Sequence, residues 1–296
     1  MQDELVGKRL REYAILQCVG AGGMARVYKA RHVLLDELRA IKLLNPEGSD
    51  SAKEFKARFQ REAKILVRLK HPHVVTVHEF GILGKDILFM VMEYLEGVSL
   101  RSRLRQKGWL PVTQCIDIAK QTALGLAAGH QQGIVHRDVS PDNIVLVSED
   151  NTENVKIIDF GTAKNVIAVE ATKLTDTMKF VGKAEYCSPE QIRGPMSGDI
   201  DGRSDVYSLG ITLYEMLTGS RPFRAKTPQG YIAKHLRSSP IPFEEVNPEA
   251  RISPALADLV MRMLEKTRER RPATMNELFQ ELTALAHEHP VPTPVW

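Results

Sequence analysis

Side chains able to do chemistry are strung along this 296-residue chain in a fixed order. A glycine-rich turn comes first, Gly20-Ala21-Gly22-Gly23-Met24-Ala25-Arg26-Val27. Glycines there let backbone amides approach a phosphate closely, although a glycine turn with no ligand fits the same residues. A dinucleotide fingerprint would need a helix to follow, whereas Val27-Tyr28-Lys29-Ala30 continues as a strand. Lys42 follows in Ala40-Ile41-Lys42, on a strand where a lysine is ordinarily an exposed edge residue. Glu62 then falls in the apolar stripe of a helix. A carboxylate in that place is costly unless paired, and Lys42 is its obvious partner. Next stand His136-Arg137-Asp138-Val139-Ser140-Pro141-Asp142-Asn143, Asp159-Phe160-Gly161, Ser188-Pro189-Glu190 and Asp205. Each motif occurs by chance in many proteins, but all of them in this order and at these intervals do not.

The elements that must position these residues change character along the chain. Tyr13–Gly20, Ala25–Ala30, Leu38–Leu44, Thr76–Phe80 and Ile87–Met92 are strand-length runs broken by glycine and polar turns, with Gly81 and Gly84 separating the last two. Between them, Phe55, Phe59, Leu66 and Leu69 trace one face of a helix over Ser51–Lys70. Helices dominate after residue 110. Thr113–Gln132 stops at Gly133, a fitting left-handed C′ residue, and Ser204–Thr218 is apolar on most sides, so a buried helix is expected there. Ala255–Leu264 and Met275–Ala286 are two more. Loops are expected at 45–49, Glu149–Asn154, Ser197–Gly202 and Ser238-Ser239-Pro240. The expected fold class is α+β: a small antiparallel sheet with one main helix, joined near Glu93–Gly97 to a larger, mainly helical part.

Composition narrows the function classes. Lys and Arg number 40 against 37 Asp and Glu, a formal net charge of +3, too small a surplus to argue for nucleic acid. The basic residues of 51–70 fit one solvated helix face. No apolar run approaches the 18–20 or so residues of a membrane helix, and the acidic start lacks the apolar core of a secretory signal. Cys18, Cys115 and Cys187 are too scattered for a disulfide framework or a metal cluster. A soluble, cytoplasmic protein is expected. No internal repeat is present, and the closing Pro290-Val291-Pro292-Thr293-Pro294 reads as a tail or linker.

Over about residues 10–288 the ordered motifs resemble the eukaryotic-like protein kinase superfamily, and the wording Gly22-Gly23-Met24 with Val27-Tyr28 is most similar to its bacterial Ser/Thr members. The resemblance implies a bilobal kinase fold: an extension over 1–12, a kinase domain over 13–288 (smaller part about 13–94, larger about 95–288) and the tail 289–296. It also implies transfer of the γ-phosphate of ATP to Ser/Thr hydroxyls of protein substrates. Asp138 would accept the proton of the attacking hydroxyl. Asn143 and Asp159 would hold Mg²⁺, with Mn²⁺ as an alternative ion; an amide and a carboxylate suit a hard cation. Lys42, braced by Glu62, would pair with the α/β-phosphates under the glycine loop from Val19 to Val27, with Ala25 where a third glycine is common. Adenine would be flanked by Val27, Ala40 and Val145, with its edge on the Glu93 carbonyl and the Leu95 N–H and with Met92 beside it. Structural roles fall to His136, Arg137 and Phe160, to Asp205 as the anchor of the His136-Arg137 backbone, and to a buried Glu190–Arg271 ion pair.

Two departures from the family pattern fall together. Ser140 stands where Ser/Thr members carry Lys two residues after the catalytic Asp, and Lys183 stands where they carry Thr after the glycine that is here Gly182. In the family those side chains meet beside the γ-phosphate, so lysine and hydroxyl have exchanged places; the other reading turns Lys183 to solvent. Among Thr172, Thr175 and Thr177, the latter two lie seven and five residues before Gly182, where related bacterial kinases place autophosphorylation sites. Phosphate there would give Arg137 an anionic partner. The resemblance thus implies autophosphorylation in trans at Thr175 and Thr177 through a transient homodimer. Two other classes are weighed. A pseudokinase usually lacks Lys42, Asp138, Asn143 or Asp159, and all four are present. A small-molecule phosphotransferase would not need Ser188-Pro189-Glu190 or the long segment 162–187 suited to docking a peptide.

Overall fold

Tyr13, Ile15, Tyr28, Ala30, Ile41, Leu43, Phe89 and Val91 recur at alternate strand positions and gather into one buried cluster. The strands that carry them are β1 (Arg9–Leu10), β2 (Tyr13–Ala21), β3 (Ala25–His32), β4 (Leu38–Leu44), β5 (Val77–Leu83) and β6 (Ile87–Glu93). They form a sheet ordered β1-β2-β3-β4-β6-β5, antiparallel throughout. The computed structural model describes residues 5–21, 25–44, 52–84, 87–149, 152–160, 184–194 and 200–288. It divides the chain into two units, Met1–His71 with Val75–Glu96, and Pro72–Val74 with Gly97–Trp296.

In the first unit two details differ from the sequence reading. β1 lies within the expected extension, pairing Leu10 with Tyr13 and burying Leu10. β5 runs through Gly81, which was read as a break. A Cβ at Gly81 would stand 2.6 Å from the Phe89 ring, so this glycine admits a core aromatic rather than making a turn. Helix α1 (Ala52–Arg68) buries Phe59, Ala63 and Leu66 along one stripe, with Phe59 edge-on to Phe80 at 6.2 Å.

The second unit is mainly helical. β7 (Gly97–Ser99), β8 (Ile144–Glu149) and β9 (Thr152–Ile157) make a small antiparallel sheet. β8 and β9 stay paired out to Glu149 and Thr152, so Glu149 and 152–154 are strand where a loop is expected from the sequence. The helices are α2 (Leu100–Lys107), α3 (Val112–Gln131), α4 (Pro189–Arg193), α5 (Arg203–Thr218), α6 (Pro228–Arg237), α7 (Phe243–Val246), α8 (Pro254–Met263) and α9 (Met275–Glu288). α3 ends on Gly133 at φ +74°, the left-handed stop that its sequence suggested. α5 is buried from Ser204 to Thr218 and packs against α3, α8 and α9. Among the described residues no helix is long and apolar enough to cross a membrane.

α4, α5 and the turn before α9 are bound by one ion pair. Arg271 donates to both Glu190 oxygens, at 2.7 and 2.9 Å, and to the carbonyls of Arg203 and Glu265. Ser204 Oγ adds a third bond to Glu190 at 2.6 Å. Burial alone would raise the Glu190 carboxyl, but the hydrogen bonds and charge of Arg271, with Ser204, outweigh it and hold the group below its ordinary 4.5. A depressed carboxyl stabilises the fold fully above its unfolded value and loses that contribution as pH falls through the folded one. Arg271→Ala is therefore expected to cost about 3–5 kcal/mol at pH 7, because it leaves a buried carboxylate uncompensated. Denaturant titration should show that cost shrinking below pH 4.5 as Glu190 protonates, and a cost independent of pH would contradict the assignment.

Candidate active site

Asp205, in the first turn of α5, has no exposed surface and draws three donors onto its carboxylate. The His136 N–H reaches Oδ2 at 2.8 Å, the Arg137 N–H reaches Oδ1 at 2.7 Å, and His130 Nε2 from the last turn of α3 lies 2.7 Å from Oδ2. Burial alone would raise this carboxyl; the hydrogen bonds from the His130 ring and the His136 backbone leave it lowered. Gln191 Nε2 takes the Arg137 carbonyl at 2.8 Å, so both backbone polar groups of Arg137 are held by side chains. That grip matters because Arg137 sits at φ +64°, a left-handed conformation that costs a non-glycine residue about 1–3 kcal/mol.

His136 passes the constraint on. A carbonyl only accepts, so the 2.9 Å contact between Nε2 and the Ile158 oxygen puts the ring proton on Nε2. Nδ1 is then the acceptor for the Asp138 N–H at 3.2 Å. The ring also stands edge-on to Phe160 at 4.7 Å. Phe160 in turn lies against α3 where Gly129 has no side chain; a Cβ there would be 2.5 Å from the Phe160 ring. Asp159, between Ile158 and Phe160, is also held left-handed, at φ +63°.

The turn from Asp138 to Asn143 closes on itself. The Asn143 N–H donates to the Ser140 carbonyl at 2.9 Å, and the Asn143 carbonyl accepts from the Ile158 N–H at 3.0 Å. Asn143 Nδ2 gives both protons to Asp138, one to the carbonyl at 2.8 Å and one to Oδ2 at 2.7 Å. The amide therefore has its oxygen, a hard donor, left to offer to a cation. That oxygen and the Asp159 carboxylate, one residue past Ile158, are both hard donors of the kind a divalent cation takes. Ser140 is fully buried, and Asp138 and Asp159 are half-buried. Val145 is half-buried on β8, opposite Lys156 and Ser99.

In the sheet unit Val27, Ala40, Lys42 and Met92 share one face. Lys42 lies on β4 opposite Val27 of β3 and Met90 of β6, and Ala40 lies opposite Met92. β4 has a strand on either side, so Lys42 is 7% exposed rather than an edge residue in water. Glu62 is half-buried beside the α1 stripe. Glu93 ties to Thr76 twice, through its N–H at 2.9 Å and its Oε1 at 2.6 Å, and Leu95 follows, half-buried. Val19 is exposed, Gly20 and Ala21 face Val27 and Arg26, and Ala25 pairs with Leu44 in extended strand, where its methyl meets no backbone conflict. Gly22, Gly23, Met24, Thr175, Thr177 and Lys183 lie outside the described residues.

Several positioning residues escaped the sequence reading. His130 and Gly129 gave no local sign of their roles. Gln191 did: Ser188-x-x-Gln191 is a capping-box pattern, and the reciprocal bonds are present. Asp205→Ala should leave the His136 and Arg137 amides without acceptors, at about 1–3 kcal/mol each. Asp205→Asn keeps one acceptor oxygen and should cost less. Urea denaturation checks the order; equal costs for the two variants would contradict it.

The model of the protein kinase domain family matches residues 13–282. The chain is 40% identical over 279 residues to a probable serine/threonine-protein kinase of Clostridium perfringens, covering 94% of this chain and 39% of the relative. It is 37% identical over 289 residues to the serine/threonine-protein kinase pkn3 of Myxococcus xanthus, covering 97% of this chain and 52% of the relative. It thus spans about two fifths to one half of the length of these curated relatives. Among solved structures, the kinase domain of Mycobacterium tuberculosis PknI superposes with a TM-score of 0.72 at 26% identity, covering 95% of this chain and 98% of that one. A sheet unit with a buried strand lysine, a helical unit that clamps an Asp–Asn turn, and relatives of this kind lead to one conclusion: the chain belongs to the protein kinase family, in its bacterial Ser/Thr branch.

Proposed function

We propose that this chain transfers the γ-phosphoryl group of ATP to serine and threonine hydroxyls of protein substrates. The Asp138–Asn143 pair carries the reading: the amide fixes one carboxylate oxygen at 2.7 Å and keeps its own oxygen for a cation. Asp138 takes the proton of the substrate hydroxyl as the new O–P bond forms and the bridging O–Pγ bond of ATP breaks. Asn143 and Asp159 would hold Mg²⁺, or Mn²⁺, which when bound neutralises charge on the phosphate oxygens. Lys42, braced by Glu62, would hold the α/β-phosphates, the loop from Val19 to Val27 would cover them with backbone amides, and Val27, Ala40 and Met92 would offer apolar surface to adenine beside the Glu93 carbonyl and Leu95 N–H. Ser140 and Lys183 form the exchanged pair, with Lys183 as the cation beside the γ-phosphate. Two copies would meet transiently to phosphorylate Thr175 and Thr177 in trans. The wide spacing of Cys18, Cys115 and Cys187 along the chain fits a reducing cytoplasm.

The test is peptide phosphorylation with MgATP. Asp138→Asn and Lys42→Met should each lower kcat by at least about 10²–10³-fold, as loss of a preorganised electrostatic group does, while Asp138→Asn unfolds near the wild-type temperature. Turnover within about tenfold of wild type in either variant would overturn the assigned roles. In the same assay Lys183→Ala should fall about 10²–10³-fold, and Ser140→Lys with Lys183→Thr should recover much of the loss. Mass spectrometry after incubation with MgATP should find phosphate on Thr175 and Thr177, and none between residues 170 and 180 would refute the regulatory part.

A further inference from the structure

Arg101 is the second residue of α2, a helix capped by Ser99, whose Oγ accepts from the Ser102 N–H at 3.1 Å. The Arg101 N–H is among the first-turn donors that no helical carbonyl can satisfy. It goes to the Pro141 carbonyl at 2.9 Å, inside the turn between Asp138 and Asn143. The guanidinium of the same residue spreads in three directions. Nη1 donates to Glu215 Oε1 on α5 at 2.7 Å, Nη2 donates to the Tyr186 hydroxyl, and Nε lies 3.4 Å from Asp142 Oδ2. Tyr186 completes the circuit by donating its own proton to Glu215 Oε2. Burial, and then the charge of Glu215, raise the Tyr186 hydroxyl well above its ordinary range, so it stays a donor. Ser208 Oγ fixes the Tyr186 carbonyl at 2.7 Å.

Glu215 takes one donor from Arg101 and one from Tyr186, and the Tyr186 hydroxyl bonds both. Glu215 and Tyr186 are buried, and a buried carboxylate demands its partners. One arginine thereby couples its own backbone, the Pro141-Asp142 turn, Tyr186 two residues before Ser188, and the far end of α5. We propose that Arg101 is a positioning residue for phosphoryl transfer, holding the Asp138–Asn143 turn in register with the segment that leads into Ser188-Pro189-Glu190. Its effect on turnover rests on the kinase reading above; its effect on the turn does not.

Arg101→Met alone would strand Glu215, so the informative variant is Arg101→Met with Glu215→Gln, which removes the cation and the buried charge together. Its unfolding temperature should return towards the wild-type value, since no buried charge is left unpaired. Its kcat on a peptide should nonetheless remain about 10- to 100-fold down, with KM for ATP unchanged, because a reacting group displaced by about 1 Å loses this much. Recovery of kcat together with stability would overturn the proposal in favour of a purely structural role. Amide exchange supplies a readout that needs no activity. The Asn143 and Ile158 N–H groups, bonded to Ser140 and Asn143 carbonyls, should exchange faster in the double variant than in the wild type. Unchanged protection there would equally overturn the proposal. If the wild type shows no turnover but protection is lost, the kinase reading fails and the coupling of Arg101 to the turn stands.

Discussion

A carboxylate buried at the head of α5 organises the helical unit. Asp205 is cut off from water, and only protein donors can meet its charge. Two of the three it draws are backbone amides of adjacent residues, His136 and Arg137. Holding both at once requires the chain to turn sharply between them and Asp138, and Arg137 takes the left-handed conformation at φ +64°. The strain is local and of the order of 1–3 kcal/mol; the bonds to a buried charge exceed it, since hydrogen bonds of that kind contribute roughly 1.5–3 kcal/mol each. From that point the geometry propagates through neutral groups. His136 orders Asp138 through Nδ1 and Ile158 through Nε2, and Ile158 leads directly to Asp159 and Phe160. The two aspartates assigned to chemistry are thus placed by one that is assigned none.

The sheet unit solves a comparable problem by register. Ile41 and Leu43 enter the core cluster, so by strand alternation Lys42 and Ala40 must lie on the opposite face. Cross-strand pairing then brings Val27, Met90 and Met92 to that face. An ammonium enclosed in this way is costly unless its charge is met, and Glu62, half-buried on α1 in the same unit, is the proposed partner. Neither arrangement depends on long-range fields. Each follows from the need to satisfy polar groups placed where apolar packing fixes the backbone.

Much of this was legible in the residues. The strand-length runs of β4 and β6, the stripe Phe59–Leu66–Leu69, the glycine stop at Gly133 and the all-round apolar character of α5 are one-dimensional patterns, and the elements follow them closely. The misses have physical causes. α2 is polar along most of its length and buries only Leu100 and Leu104, so it has no stripe to read, and the importance of Arg101 comes from residues far away in sequence. α6 carries its signal in a Thr227 cap followed by Pro228, a local cue that apolar periodicity does not see. Gly81 was misread because a glycine that admits Phe89 and a glycine that makes a turn look alike in sequence. Of the candidate site, residue types and order supplied the charged members; the Asn143 amide orientation, the His136 tautomer and the third donor from His130 required coordinates.

The claim that Asp205 locks the turn is tested most directly by native-state amide exchange on the unmodified protein. If its carboxylate holds the His136 and Arg137 amides as tightly as the 2.8 and 2.7 Å contacts imply, both should exchange only through unfolding of the whole helical unit, at the rate of the α5 core amides. Exchange of either amide through a local opening much faster than that of α5 would contradict the account, because the turn carrying Asp138 would then be free of the group said to fix it.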